Sequence, residues 1–225
     1  MSINRRDFTA AAAASAGLAA LSLPPLAHAQ GGPVEGRHYQ KLQQPLSTTP
    51  GKVEVVEFFW YGCPHCYVFE PALSAFTQQL PADVVFRKSH VLFRPNMLVH
   101  QRTFFALEVM GKEAEVRAKI FDAIHRQGQR LDVLDAMAAF LAKQGVDAAK
   151  FKDTFGSMGI STKCGQADRL AEAFRIDGVP SIGIAGRYLT SPAMAAGGAR
   201  IDEEQSGLRA LAVMEILIKR ARQGA

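Results

Sequence analysis

The hydrophobic pattern of the chain changes period twice. Val53 to Trp60 is a strongly β-prone, largely apolar run, and it predicts a strand leaving the core. Gly62 breaks that run and Pro64 opens a helix, because proline's missing N–H costs nothing at the first helical position. This first helix is expected to reach about Gln79, with Pro71 kinking it from inside and Pro81 closing the turn that follows. Val84 to Val91 predicts a second strand. Strand, helix and strand in this order form a parallel βαβ unit, with residues 61–66 at the strand's C-terminal edge, where open α/β sheets place their sites.

From Asn96 to Gly159 the period becomes helical throughout. Four helices are expected, near 97–110, 113–126, 132–144 and 147–155, each closed by a glycine: Gly111, Gly128, Gly145 and Gly156. Val116, Ile120, Ala123 and Ile124 make one apolar stripe, and Leu134, Met137 and Leu141 another. A further helix from about Ser161 to Phe174 puts Cys164, Ala167, Ala171 and Phe174 on one face. The strand period then returns. Gly178-Val179-Pro180 enters a strand at Ser181 to Ala185, Gly186 turns the chain, and Arg187 to Thr190 completes a β-hairpin. Ala193 to Gly198 reads as loop. Leu208 to Arg222 reads as a closing helix, with Ala210, Val213, Met214 and Leu217 inward and Glu215 to Lys219 a pair on the solvent side. Tyr39 to Leu42 predicts a short edge strand. The fold class is therefore α/β: a βαβ half and a ββα half sharing one mixed sheet, with helices inserted between them.

Charge and composition narrow the setting. The 225 residues carry a formal charge of +5, and the basic residues are scattered rather than clustered, which argues against nucleic-acid binding. Arg5-Arg6-Asp7-Phe8, an alanine-rich apolar run from Ala10 to Leu23, and Ala27-His28-Ala29 predict an export signal cleaved after Ala29. The paired arginines favour the twin-arginine route, with the general secretory route as the alternative. The expected organisation is residues 1–29 as signal, 30–95 and 161–225 as two parts of one domain, and 96–160 as the helical insertion.

Of the three cysteines, two form a local pair, Cys63-Pro64-His65-Cys66, which reads as chemistry rather than scaffolding. Cys63 stands at the predicted N-cap. Its sulfur can accept from the backbone N–H groups of His65 and Cys66 and faces the positive end of the helix dipole, and both effects favour thiolate over thiol. Cys66 lies one turn on, within the span of an unstrained disulfide, so the pair can cycle between dithiol and disulfide. A metal site would need further ligands that no second CxxC or histidine pair supplies, so neither metal nor cofactor is expected. Glu57 shares a strand face with Val55 and Phe59, where a carboxylate is costly unless paired. Cys164, on an inward helix face, is expected to pack as a small apolar residue. His28, His38, His100 and His125 have no evident partner and read as surface or packing residues. Trp60, Tyr61 and Phe93 read either as core or as an apolar substrate surface.

Cys63-Pro64-His65-Cys66 at a strand-to-helix turn, Val56-Glu57-Phe58-Phe59 before it, Tyr67-Val68-Phe69-Glu70 after it, Lys88-Ser89-His90-Val91 in the next strand and Gly178-Val179-Pro180 resemble the DsbA family of thioredoxin-fold thiol:disulfide oxidoreductases. The likeness runs from Tyr39 to Arg222. It implies a thioredoxin fold with an inserted helical domain, acting as a periplasmic dithiol oxidase. Cys63 would be the attacked sulfur, Cys66 the resolving partner, and Pro64 and His65 the dipeptide that tunes them. Lys88 would pair with Glu57 beneath Cys66, and Val179-Pro180 would form a cis-proline loop that binds substrate main chain. The implied partners are reduced, newly translocated polypeptides as substrates and a DsbB-type membrane quinone reductase for reoxidation. Gln30 to Lys52 is too short for the dimerisation domain that isomerases of this fold add, so a monomer is expected.

Overall fold

The computed structural model describes residues 32–224. The expected signal, its cleavage after Ala29 and His28 lie outside them. Five strands, β1 (Gln40–Lys41), β2 (Val53–Phe59), β3 (Val84–His90), β4 (Ser181–Ile184) and β5 (Tyr188–Thr190), form one mixed sheet in the order β1-β5-β4-β2-β3. β2 pairs parallel with β3 and antiparallel with β4, and the β2–β3 register sets Glu57 directly opposite Lys88. Between β2 and β3 runs α1 (Pro64–Thr77), and between β3 and β4 lies a block of five helices: α2 (Leu98–Val109), α3 (Glu113–His125), α4 (Leu134–Lys143), α5 (Ala148–Gly156) and α6 (Met158–Ala173). A 3-10 turn at Pro95–Met97 leads into α2, and α7 (Pro192–Ala196) and α8 (Glu203–Gln223) close the chain. Among the described residues, no helix is long and apolar enough to cross a membrane.

Three hydrophobic clusters build the interior, and β2 contributes to all of them. Val53 and Val55 pack with Phe69 and Leu73 of α1 and with Ala210, Met214 and Leu217 of α8. Val56 and Phe58, on the opposite face, pack with Val91, Phe174 and Leu189. Phe59, at the strand's end, enters the helical block beside Phe104, Phe121 and Leu141. A mostly apolar strand is what this position demands, because both faces of β2 are covered; its two acids are Glu54, half-buried, and Glu57, fully buried.

Several boundaries differ from the sequence expectation, each for a local reason. α7 occupies the stretch expected as loop at Ala193 to Gly198. Ser191 caps it, with Oγ accepting from the Met194 N–H at 3.1 Å, Pro192 is its first residue, and Gly197 ends it at φ 59°. α6 starts at Met158 rather than Ser161, because Ser157 supplies a cap to Ile160 N–H; Gly156 is then the last residue of α5 and not a left-handed terminator, unlike Gly111, Gly128 and Gly145. α8 starts at Glu203 rather than Leu208, capped by Asp202 on the Gln205 N–H at 2.7 Å. Its first turn is polar and so carries no hydrophobic period.

Candidate active site

β2 ends in the turn Trp60-Tyr61-Gly62, which delivers Cys63 to the N-cap of α1. Gly62 is required there by contact: a Cβ would sit 2.4 Å from the Trp60 ring. Cys63 adopts the extended conformation of a cap residue (φ −87°, ψ 117°), its Sγ accepts from the Cys66 N–H at 3.4 Å, and Pro64 follows as the first helical residue. Cys63 is 5% exposed and Cys66 fully buried. The two sulfurs are opposite in character. The Cys66 thiol donates to Cys63, the backbone N–H groups of Cys66 and His65 add to this, and together with the His65 charge they outweigh burial and bring Cys63 down to about 6. Burial, with Cys63 and the charge of Glu57 acting the same way, pushes Cys66 well above its usual value. One sulfur is an exchange-ready thiolate and the other holds its proton.

Opposite this pair, the Val179-Pro180 peptide bond is cis, and the Cys63 thiol meets the Val179 carbonyl oxygen at 3.3 Å. A groove of about 470 Å³ opens beside it, lined by His65 and Phe69 of α1, Pro180, Met194, Ile201 and Glu203. His65 is exposed, and its Nδ1 meets the carboxylate of Glu203, another lining residue, at 2.8 Å. An extended peptide laid in this groove would meet the Val179 main chain and the apolar side chains of Phe69, Pro180 and Met194.

Behind the cysteines, Glu57 and Lys88 form the buried pair that the resemblance implied, and the pair is part of something larger. Lys88 Nζ bonds Glu57 Oε2 and also Glu70 Oε2, the latter at 2.7 Å. Glu70 Oε1 accepts from Ser74 Oγ at 2.9 Å and from Arg117 Nη1 at 3.1 Å, and Arg117 grips Glu113, which accepts the Tyr61 hydroxyl at 2.9 Å. Burial outweighs Lys88 at Glu57 and raises its carboxyl to about 7. At Glu70 burial acts the same way but Lys88 and Arg117 overcome it, and the carboxyl is lowered. A carboxyl near neutrality, electrostatically coupled to Cys66, could exchange a proton with that sulfur.

Of the histidines expected to lack partners, the three among the described residues, His38, His100 and His125, have them. His100 Nδ1 accepts from Trp60 Nε1 at 2.9 Å while its Nε2 bonds the Arg130 carbonyl, and His125 Nε2 bonds the Tyr61 carbonyl at 2.8 Å. His38 Nδ1 accepts the Val34 N–H at 2.9 Å. His90 adds a third hold on the turn, its Nε2 accepting from Tyr61 N–H at 3.4 Å. Tyr61 is fully buried, which removes it from any substrate surface, Trp60 is half-buried, and Phe93 is exposed. Cys164 lies in the core of the helical block, where burial pushes its thiol up to about 11. Among the described residues, no cluster of three or more His, Cys, Asp or Glu side chains could hold a metal. Glu70, Glu113 and Arg117 escape a sequence reading. Glu70 sits one turn beyond Cys66 and Glu113 stands four residues before Arg117, so each helical spacing was visible, but the contact that joins them crosses 47 residues.

The family model of the DSBA-like thioredoxin domain matches residues 54–209. The chain is 42% identical over 163 residues to the thiol:disulfide interchange protein DsbA of Burkholderia cepacia, covering 72% of this chain and 77% of that protein. It is 44% identical over 154 residues to DsbA of Pseudomonas aeruginosa, covering 68% and 73%. The crystal structure of Pseudomonas aeruginosa DsbA superposes with a TM-score of 0.77 at 38% identity over 84% of this chain and 94% of that one. NmDsbA1 of Neisseria meningitidis gives 0.69 at 29% identity over 85% and 96%. With its cysteine pair capping α1 and five helices set between β3 and β4, the chain belongs to the DsbA family of thioredoxin-fold thiol:disulfide oxidoreductases.

Proposed function

We propose that the chain is an exported dithiol oxidase that donates its Cys63–Cys66 disulfide to reduced polypeptides in the periplasm. The observation that carries this direction is the contrast between the two sulfurs: a Cys63 thiolate stabilised at the head of α1 favours the reduced enzyme, so its disulfide is readily given up. A substrate thiolate attacks Cys63 Sγ, the bond to Cys66 breaks, and Cys66 leaves and takes a proton from Glu57. The substrate's second thiolate then attacks its own sulfur in the mixed disulfide, and Cys63 departs as thiolate. Two electrons have passed from the substrate dithiol to the enzyme pair. Pro64 fixes the helix start and His65 adds positive charge beside Cys63, while Val179 and Pro180 hold the extended substrate main chain against that sulfur. Lys88 keeps the Glu57 carboxylate tolerable in the core when it is ionised. Return to the disulfide needs an electron acceptor, for which a DsbB-type membrane quinone reductase is the family's candidate.

Equilibration of the pair with glutathione tests the direction. The expected potential is far less negative than the roughly −270 mV of a thioredoxin-type reductant. A value at or below that figure would overturn the oxidase reading.

A further inference from the structure

The buried network behind the cysteines contains an imbalance of charge. Three carboxylates, Glu57, Glu70 and Glu113, are joined by hydrogen bonds to only two cations, Lys88 and Arg117. All five side chains are buried or nearly so, with Arg117 the most exposed at 20%. An uncompensated charge in such a place is costly, and a proton on one carboxylate removes it. The donors decide which one. Glu113 accepts from Arg117 on both oxygens and from the Tyr61 hydroxyl. Glu70 accepts from Lys88, Arg117 and Ser74. Among the described residues, Glu57 accepts from Lys88 alone, through Oε2, and its Oε1 is buried without a partner. Glu57 therefore holds the proton because the other two carboxylates have taken the donors, and Arg117 supplies donors to both of those.

We propose that Arg117, which stands on α3 of the helical insertion, is a positioning residue for disulfide exchange: by neutralising Glu70 and Glu113 it confines the network to a single proton and holds that proton at Glu57. The proposal rests on the reading of Glu57 as the proton partner of Cys66. It gives the insertion a part in the chemistry besides covering the cysteines. Without Arg117, three carboxylates would share Lys88, a second proton would enter the network, and Glu57 would ionise only at higher pH. Without the Glu113 carboxylate, cations and anions would balance and Glu57 would ionise more easily. The remaining groups in reach are Cys66, which feels the charge of Glu57, and Glu108 on α2, which faces Glu113 and Arg117 without a hydrogen bond to either.

The test compares the full-length protein with its Arg117→Gln, Arg117→Lys and Glu113→Gln variants. Two readouts are followed against pH: the carbon resonance of the Glu57 carboxyl, and the rate at which Cys66 resolves a glutathione mixed disulfide on Cys63. In Arg117→Gln the Glu57 midpoint should rise by roughly one pH unit, in Arg117→Lys it should return most of the way, and in Glu113→Gln it should fall. Opposite shifts from two neighbours on one helix are not produced by a loosened insertion. A Glu57 midpoint that stays put in folded Arg117→Gln, or that moves the same way in both variants, overturns the proposal. Should Arg117→Gln fail to fold, Glu113→Gln decides alone, and an unmoved midpoint there is equally fatal. A midpoint that moves while the resolution profile does not supports the placement by Arg117 and removes Glu57 from the exchange instead.

Discussion

At the scale of single residues, the site works by making two chemically identical side chains unlike. Cys63 is an N-cap and Cys66 a buried first-turn residue, so the same helix start stabilises charge on one sulfur and excludes it from the other. The largest contribution to the low Cys63 value is the thiol of Cys66 itself. Cys66→Ala should therefore raise the Cys63 titration from about 6 toward 9.0, as followed by thiolate absorbance, even though the helix and its capping N–H groups are retained. The same shift bears on stability. Because Cys63 is depressed in the fold, its contribution to the reduced protein is fully present above 9.0 and is lost as pH falls through about 6, and Cys66→Ala should narrow that window from below. The direction of the Cys63 shift was legible in Cys63-Pro64-His65-Cys66, since capping and helix-start chemistry are local, but the larger part played by the Cys66 thiol was not. The partner of Glu57 was not legible in the pattern alone: a lone acid in an apolar strand announces that it needs a partner, the family resemblance pointed to Lys88, and the parallel register of β2 and β3 sets the two opposite each other.

At the scale of elements, the turn between β2 and α1 is held from outside. Trp60 and Tyr61 are bonded by His90 at the end of β3, His100 of α2 and His125 of α3, so two of the three holds come from the helical block. His90 and His100 must be neutral to accept the bonds that they receive. Burial, reinforced at His90 by His100, lowers both below 6.5. Their contribution to stability is thus present above 6.5 and declines as pH falls below it, while the unfolded chain takes up the protons that the fold refuses. His100→Leu leaves the Trp60 Nε1 donor unpaired at a half-buried position and should cost about 1–3 kcal/mol in urea unfolding at neutral pH. The loss should shrink in acid, where wild-type His100 is itself penalised; a pH-independent difference would count against the bond. His100 and His125 read as isolated in the sequence because their bonds to Trp60 and Tyr61 span 40 and 64 residues. The short α7 was missed for another reason: five residues between Pro192 and Gly197 are too few to show a period, and only the Ser191 cap marks the start.

At the scale of the whole molecule, the two halves of the sheet and the inserted helices meet on one strand. The order of the longer elements was legible because each has a distinct period, and the mixed sheet follows from the βαβ and ββα halves. What no period could reveal is that the helical block reaches the thioredoxin-like half through charge as well as packing, with Arg117 on Glu70 and Tyr61 on Glu113. β2 sits between β3 and β4 and contributes to all three clusters, so exposing its backbone requires both faces and both neighbours to come apart. In deuterated water, the amides of Val55 to Phe58 should accordingly be among the last in the protein to exchange, at rates that track global unfolding, whereas those of β1, a two-residue exposed edge, should exchange early. Cys63 is only four residues beyond Phe59. The atom that must trade bonds with every substrate is thus tethered to the part of the chain that opens least, and repeated turnover need not loosen the scaffold that sets its reactivity.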